Sequence, residues 1–333
     1  MSTQVATFAA QLPLTPPAPS APLSPVAQAA LRGLTAEQRM LPPWLFYDAV
    51  GSALFEAITA LPEYYPTRTE RAIFAAHADA IIAAASGSGM LSVAELGAGT
   101  ASKTGLLLQA AVRAQGSVIY SPVDVSPTAL DKAKLLELEL LGVIVEPQVA
   151  DYTSQPILFD AAAPRRLVLY IGSSIGNFTP EDAVRVLRTL REQLRPGDTL
   201  LLGTDMVKDE KTLVAAYDDA AGVTAQFNRN VLHRLNRELR ADFDVDHFTH
   251  CAVWNEAESR MEMYLISDVP QRVTIQALGC DLHFAAGDTI HTENSYKFTQ
   301  KSIQWLLKQS GFVPQHQWMD EKEWFAVNLA VAI

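Results

Sequence analysis

The stretch Ala94-Glu95-Leu96-Gly97-Ala98-Gly99-Thr100 decides the fold. It reads as the end of a strand over 91–96 that breaks into a glycine turn and opens onto a helix beginning near Ser102. Glycines at 97 and 99 carry no Cβ, so the backbone there can approach a ligand closely. A second strand, over 117–123, runs into an isolated carboxylate, Asp124. In that place a carboxylate can accept hydrogen bonds from both hydroxyls of a ribose. Turn and acid together describe a nucleoside-binding crevice at the carboxyl ends of parallel strands.

Around this pair the chain alternates regularly. Strand 91–96 leads to helix 102–114, and strand 117–123 to a helix over 127–141 with Ser126 as cap and Pro127 as first helical residue. Strands over 143–149 and 166–171 follow, then a helix opened by Thr179-Pro180-Glu181-Asp182, then a strand over 199–204. Repeated βα units predict an α/β fold, a doubly wound and mostly parallel sheet covered on both faces. At Asp205 the pattern changes. Helical stretches near 209–221 and 224–239 precede strands of hairpin character over 251–254, 260–266, 271–277 and 281–284. A helix over 300–309 and strands 313–319 and 324–331 return to the doubly wound style. The expected organisation is therefore a sheet domain over 76–204 and 296–333, with an α+β accessory domain over 205–295 above its open end.

Upstream, Tyr47, Val50, Leu54, Phe55, Ile58 and Leu61 recur at helical spacing. A proline bend over 62–66 follows, and Thr67-x-x-Glu70 predicts a capping box for a helix running to about Ala85. Residues 31–75 are thus N-terminal helices that pack with the accessory domain. Residues 1–30 read as a disordered tail, with prolines at 13, 16, 17, 19, 22 and 25 among Ala, Ser and Thr, and order beginning near Leu31.

Composition narrows the class. In 333 residues, 26 Lys and Arg against 37 Asp and Glu give a formal charge of −11, which argues against nucleic acid as a partner. Two cysteines, Cys251 and Cys280, are too few for a disulfide framework and predict a reduced, cytoplasmic protein. No apolar run reaches the roughly 18–20 residues of a membrane span. The N-terminus lacks the basic flank of a secretory signal, so no membrane partner is expected. Seven scattered histidines show no HxxxH or HExxH spacing, and no metal is expected.

The glycine turn fits one nucleoside better than another. Gly97-x-Gly99-x-x-Ser102 only approximates the dinucleotide fingerprint, and Thr100 and Lys103 crowd the place where a pyrophosphate would rest on bare amides. Asp151-Tyr152, at the end of the third strand, stands in series with Gly97 and Asp124 and can hold an adenine. S-adenosylmethionine is favoured over a nicotinamide cofactor; a nicotinamide-dependent oxidoreductase is the reading from a different class.

Six segments carry a more specific resemblance: LPEYYPTRTE (61–70), ELGAGTASKT (95–104), YIGSSIGNFTP (170–180), LLGTDMVKD (201–209), AYDDAAGVTAQFNRNVL (216–232) and TENSYKF (292–298). From about Leu41 to the C-terminus the chain resembles the histidine-specific Nα-methyltransferases of ergothioneine biosynthesis. The resemblance implies a Rossmann-like methyltransferase domain with an inserted substrate-binding domain. It also implies three successive methylations of the L-histidine α-amine, through the mono- and dimethyl forms, to hercynine. A methyltransferase of the same frame acting on another amino acid or a histidine derivative is the alternative. The cofactor contacts it implies are Gly97, Lys103, Asp124, Asp151 and Tyr152. Asn177 and Tyr217 would take the substrate carboxylate, and Glu293 and Ser295 would read the imidazole. Tyr47 and Tyr64 would line the amine and imidazole sides as the catalytic pair, with Phe55, Phe227 and Met263 as apolar walls. The enzyme is expected to act as a monomer.

These residue types suit that chemistry. Glu293 and Ser295 are two apart, so in an extended segment both side chains share a face. A carboxylate beside a hydroxyl can contact both ring nitrogens of an imidazole, one of which is necessarily a donor. Small residues at Gly172-Ser173-Ser174-Ile175-Gly176 make room at a strand end for Asn177 to donate to a carboxylate. Methyl transfer from a sulfonium is an in-line displacement, so positioning is the enzyme's main task.

Overall fold

In the computed structural model, residues 23–333 are described except 88, 100, 102, 154 and 160–162. The deciding stretch closes β1 (Leu91–Leu96), every residue of which is buried. The strands β2 (Val118–Asp124), β3 (Val143–Val145), β4 (Gln148–Val149), β5 (Arg165–Tyr170), β6 (Thr199–Asp205), β12 (Phe312–Met319) and β13 (Phe325–Ala332) complete an eight-stranded sheet. Its order is β12-β13-β6-β5-β1-β2-β3, with β4 paired to β2. Only β13 runs against its neighbours, antiparallel to both β6 and β12. The chain leaves β1 in one direction toward β2 and β3, and later returns on the other side through β5 and β6. The order therefore reverses between β1 and β5, which opens a crevice at their carboxyl ends.

Helices cover both faces, as buried parallel strands require. They are α3 (Tyr65–Ser86), α4 (Gly105–Gln115), α5 (Pro127–Lys134), α6 (Leu136–Glu139), α7 (Pro180–Gln193) and α10 (Gln300–Gln309). Ser126 and Thr179 cap α5 and α7 as expected, accepting from the backbone N–H of Ala129 and Asp182. The expected helix over 127–141 is instead two, broken at Leu135, and the strand over 143–149 is two short pieces.

A second body sits over the carboxyl ends of the sheet. It holds the antiparallel strands β7 (Phe248–Asn255), β8 (Arg260–Ser267) and β11 (Thr289–Tyr296), in the order β11-β8-β7. A hairpin of β9 (Gln271–Ile275) and β10 (Cys280–Phe284) lies beside them. Helices α1 (Pro25–Leu34), α2 (Ala49–Thr59), α8 (Glu210–Tyr217) and α9 (Val223–Leu239) share its apolar core. Arg234 and Arg237 of α9 hold the N-terminal segment in place through the Leu45 carbonyl and the Asp48 carboxylate. No helix among the described residues is long and apolar enough to cross a membrane.

Two expectations are corrected here. The fold begins at Pro25 rather than near Leu31: Ser24 caps α1, Pro25 is its first residue, and Val26, Ala27, Ala29 and Ala30 are buried. A Ser-Pro pair read as part of a proline-rich tail is also a strong helix start, because proline's fixed φ suits the first turn. The remainder of that tail, residues 1–22, lies outside the described residues. The capping box at Thr67 and Glu70 does not form either. α3 starts earlier, at Tyr65, and Glu70 is fully buried, accepting from the Gly172 N–H and pairing with Lys103. A carboxylate that satisfies an orphan strand-end N–H and an ammonium together is better placed there than at an exposed helix end.

Candidate active site

Gly97 and Gly99 leave β1 with φ of +64° and +52°, a left-handed turn that glycine adopts without steric cost. A Cβ at Gly97 would stand 3.7 Å from the Tyr152 ring and hydroxyl, so the missing methyl leaves a slot between turn and ring. Asp124, at the end of β2, accepts from Gly99 N–H (3.0 Å) through one oxygen and Ser126 N–H (2.9 Å) through the other. That fixes the carboxylate plane at the crevice rim. Tyr152 meets Tyr170 hydroxyl to hydroxyl at 3.3 Å, and burial raises both phenols above their ordinary range. Behind the turn, Glu95 is buried, takes hydroxyl hydrogens from Thr104 and Tyr120, and is pushed up to about 7 by that burial. Asp151 holds its own turn through Thr153 N–H (2.9 Å) and hydroxyl (2.6 Å). Thr100 and Ser102 lie outside the described residues.

Facing the crevice across Gly172 is a chamber partly open to solvent. The expected substrate residues meet in it: Tyr47, Phe55, Tyr64, Asn177, Tyr217, Phe227, Met263, Glu293 and Ser295 all line its wall. They arrive on several different elements. Asn177 ends the turn that follows β5, Tyr217 closes α8, Phe227 lies on α9, Met263 on β8, and Glu293 with Ser295 on β11. Strand register sets Glu293 opposite Met263 and Ser295 opposite Met261, which keeps both polar groups on the chamber face.

One end of the chamber is aromatic. Phe55 lies 5.7 Å from Tyr47, 6.1 Å from Tyr64 and 6.0 Å from Phe227 between ring centroids, and Tyr47 is 5.8 Å from Phe227. The other end is polar. Burial pushes the Glu293 carboxyl up to about 7, opposed by the Lys297 ammonium. It drives the phenols of Tyr47, Tyr64 and Tyr217 well above their usual range, so all three are neutral hydroxyls. Thr224 is buried in the wall beside Asp219, whose carboxylate accepts from its backbone N–H (2.7 Å).

Several residues here escaped the sequence reading. Lys297 donates to Tyr217 (2.7 Å), Ser295 (2.9 Å) and Asp205 (2.9 Å), and Asp205 also binds Lys208 and the Tyr65 hydroxyl. His250 lies between Asn228 and the Tyr217 carbonyl at 2.8 Å each, held neutral by burial, and so anchors the end of α8. A signal for Lys297 was present: residues 293, 295 and 297 continue one two-residue alternation. Asp205 ends a strand as Asp124 does. Nothing in the local sequence marks His250. Among the described residues no cluster of His, Cys, Asp and Glu is arranged to hold a metal ion.

A nucleoside crevice at a sheet's switch point, facing a chamber lined by phenols, an amide and a carboxylate, defines a methyltransferase of the S-adenosylmethionine-dependent class. Comparison with known proteins gives the family. The family model described as "Histidine-specific methyltransferase, SAM-dependent" matches residues 26–332, and the chain belongs to that family. It is 47% identical to the histidine N-alpha-methyltransferase of Mycolicibacterium smegmatis and 45% identical to that of Mycobacterium tuberculosis, in each case over 90% of this chain and 92% of the other. It is 28% identical to the ergothioneine biosynthesis protein 1 of Neurospora crassa over 84% of this chain and 32% of that protein.

The crevice offers a slot beside Tyr152 and a carboxylate rim fixed at Asp124, a shape that can take a nucleoside. Asp124→Asn tests the rim. The amide must turn its NH2 toward one of the two N–H donors, so S-adenosylhomocysteine should bind about 10- to 100-fold more weakly by calorimetry. Unchanged affinity would remove Asp124 from the cofactor site.

Proposed function

We propose that this enzyme methylates the α-amine of L-histidine three times, giving hercynine and opening the route to ergothioneine. The observation that carries the reading is the pair on β11: a half-buried carboxylate and a buried hydroxyl side by side at the polar end of the chamber. An imidazole presents one N–H and one lone-pair nitrogen, which Glu293 and Ser295 complement. An apolar amino acid would leave the Glu293 carboxylate without a donor, a mismatch that a site built to hydrogen-bond its substrate rejects strongly. The family match and the two mycobacterial relatives support the same substrate.

Each residue then has a task. Asn177 and the Tyr217 hydroxyl donate to the substrate carboxylate. Gly97, Lys103, Asp124, Asp151 and Tyr152 would hold S-adenosylmethionine, which when bound supplies an electrophilic methyl group. The Tyr47 and Tyr64 hydroxyls orient the α-amine, whose lone pair is available only in the neutral form. As methyl groups accumulate, the aromatic end accommodates a growing methylammonium, each ring contact contributing about 0.5–2 kcal/mol. Phe55, Phe227 and Met263 shape the remaining wall. The reading includes a cytoplasmic monomer, its two cysteines being unpaired.

Mass spectrometry after incubation with S-adenosylmethionine and each common amino acid tests the assignment. Histidine should gain one, two and then three methyl groups, and the others none. No methylation of histidine, or equal methylation of tryptophan, would refute it.

A further inference from the structure

The ammonium of Lys297 stands in the chamber wall against the substrate-reading hydroxyls, and its side chain is 1% exposed. An ammonium has three hydrogens and no lone pair. All three have acceptors: the Asp205 carboxylate at 2.9 Å, the Tyr217 hydroxyl at 2.7 Å and the Ser295 hydroxyl at 2.9 Å. The two hydroxyl oxygens are themselves 2.7 Å apart. Each oxygen therefore has one lone pair committed to Lys297. In the free enzyme one hydroxyl donates to the other, and a single hydroxyl hydrogen is left to face the chamber.

We propose that Lys297 is a positioning residue that sets the direction of these hydrogen bonds, so that Ser295 and Tyr217 both meet the substrate as donors. This deepens the histidine reading and rests on it. With Lys297 supplying each oxygen, both hydroxyls turn their hydrogens outward when ligand displaces their mutual bond. Tyr217 then donates to the carboxylate, and Ser295 donates to the lone-pair nitrogen of the ring. Glu293 is left as the acceptor for the ring N–H. The chamber thereby reads the order of donor and acceptor around the ring as well as its polarity.

The buried charges support the arrangement. Asp205 is 1% exposed and has two ammonium partners, Lys208 and Lys297. Burial alone would raise its carboxyl, and the two lysines together more than reverse this and hold it below its ordinary range. Asp205 is thus fixed as a carboxylate, and Lys208, also tied to the Tyr65 hydroxyl, stays with it. Two ammonium groups around one carboxylate leave a positive charge at the chamber wall. That charge favours the substrate carboxylate at Tyr217 and the charged form of Glu293.

The test is Lys297→Met in the full-length enzyme, alone and combined with Ser295→Ala, with Lys297→Gln in parallel as a variant that keeps one donor. Hydroxyl contacts to ring and carboxylate are alike in ground and transition states, so their loss appears in KM. Lys297→Met should raise the KM for histidine about 30- to 100-fold, with kcat within about threefold of wild type. Calorimetry should find S-adenosylhomocysteine affinity unchanged, and Lys297→Gln should recover part of the KM. In the Ser295→Ala background the same change should cost less, because the ring contact is already lost and only the Tyr217 contact remains for Lys297 to orient. Additive effects would overturn the proposal, as would an unchanged KM. So would a fall in kcat and cofactor affinity together, the mark of a merely structural role. If wild-type enzyme fails to methylate histidine, the substrate reading falls; if it succeeds while the variant is indifferent, only the present inference does.

Discussion

Glu293→Ala should lower kcat/KM for histidine about 10²–10³-fold, the usual result of truncating one partner of a buried, charge-assisted hydrogen bond. The same enzyme should bind S-adenosylhomocysteine within about twofold of wild type, because Glu293 lies on β11 in the chamber and away from the glycine turn. A parallel loss of cofactor affinity would mean that the change had disturbed the fold. Glu293 should also be a stability liability in the ligand-free enzyme. Its carboxyl sits at about 7 rather than the ordinary 4.5, so the folded chain binds that proton more tightly than the unfolded chain does. Folding therefore loses stability as pH rises from 4.5, and the loss is complete above about 7. The neutral isostere Glu293→Gln escapes it. At about pH 8 that variant should be more stable than wild type by a free energy on the order of 2 kcal/mol. Thermal melts across pH should show the gap closing toward pH 4.5. A gap that widened on acidification would reverse the assigned shift.

Much of this architecture was legible in the sequence because its signals are local. A glycine turn between a buried strand and a helix, a cap followed by proline, and an acid at a strand end each specify their own geometry, and β1, β2, α5 and α7 followed. The chamber's wall came mainly from the family resemblance; residue pattern alone pointed to the shared face of Glu293 and Ser295 and to Asn177 at a roomy strand end. What stayed hidden is what long-range packing decides. Glu70 obeyed a local capping rule and yet turned inward, because the Gly172 N–H and the Lys103 ammonium lie 102 and 33 residues away along the chain. Ser24-Pro25 reads as tail by composition, and only the burial of α1 against α9 marks it as a helix start. The strand β11 was not anticipated in full, because its polar residues alternate toward a chamber rather than toward solvent.

The same Glu70 yields the second large prediction. Helix α3 grips three strand ends of the sheet. Tyr65 in its first turn donates to Asp205 at the end of β6. One turn on, Glu70 accepts from Gly172 after β5 at 2.9 and 3.0 Å and pairs with Lys103 after β1. Its carboxylate is packed so tightly that a Cβ on Gly203 of β6 would fall 2.2 Å from Oε1. Tyr64, immediately before the helix, belongs to the substrate chamber, so one rigid element couples crevice and chamber. Glu70→Ala would strand a half-buried lysine and an N–H donor, which should destabilise the enzyme by about 2–3 kcal/mol. With Lys103 no longer held, S-adenosylhomocysteine affinity should fall about 10- to 100-fold. Glu70→Gln keeps an acceptor for Gly172 and should lie between wild type and Ala in melting temperature. Gly203→Ala should reproduce the loss of stability with every charge retained, because the added methyl must displace the carboxylate. Wild-type melting and cofactor binding in Glu70→Ala would show that the strand ends hold together without it. A stability loss with cofactor affinity intact would separate the two roles, leaving Glu70 a brace for the sheet and Lys103 independent of it.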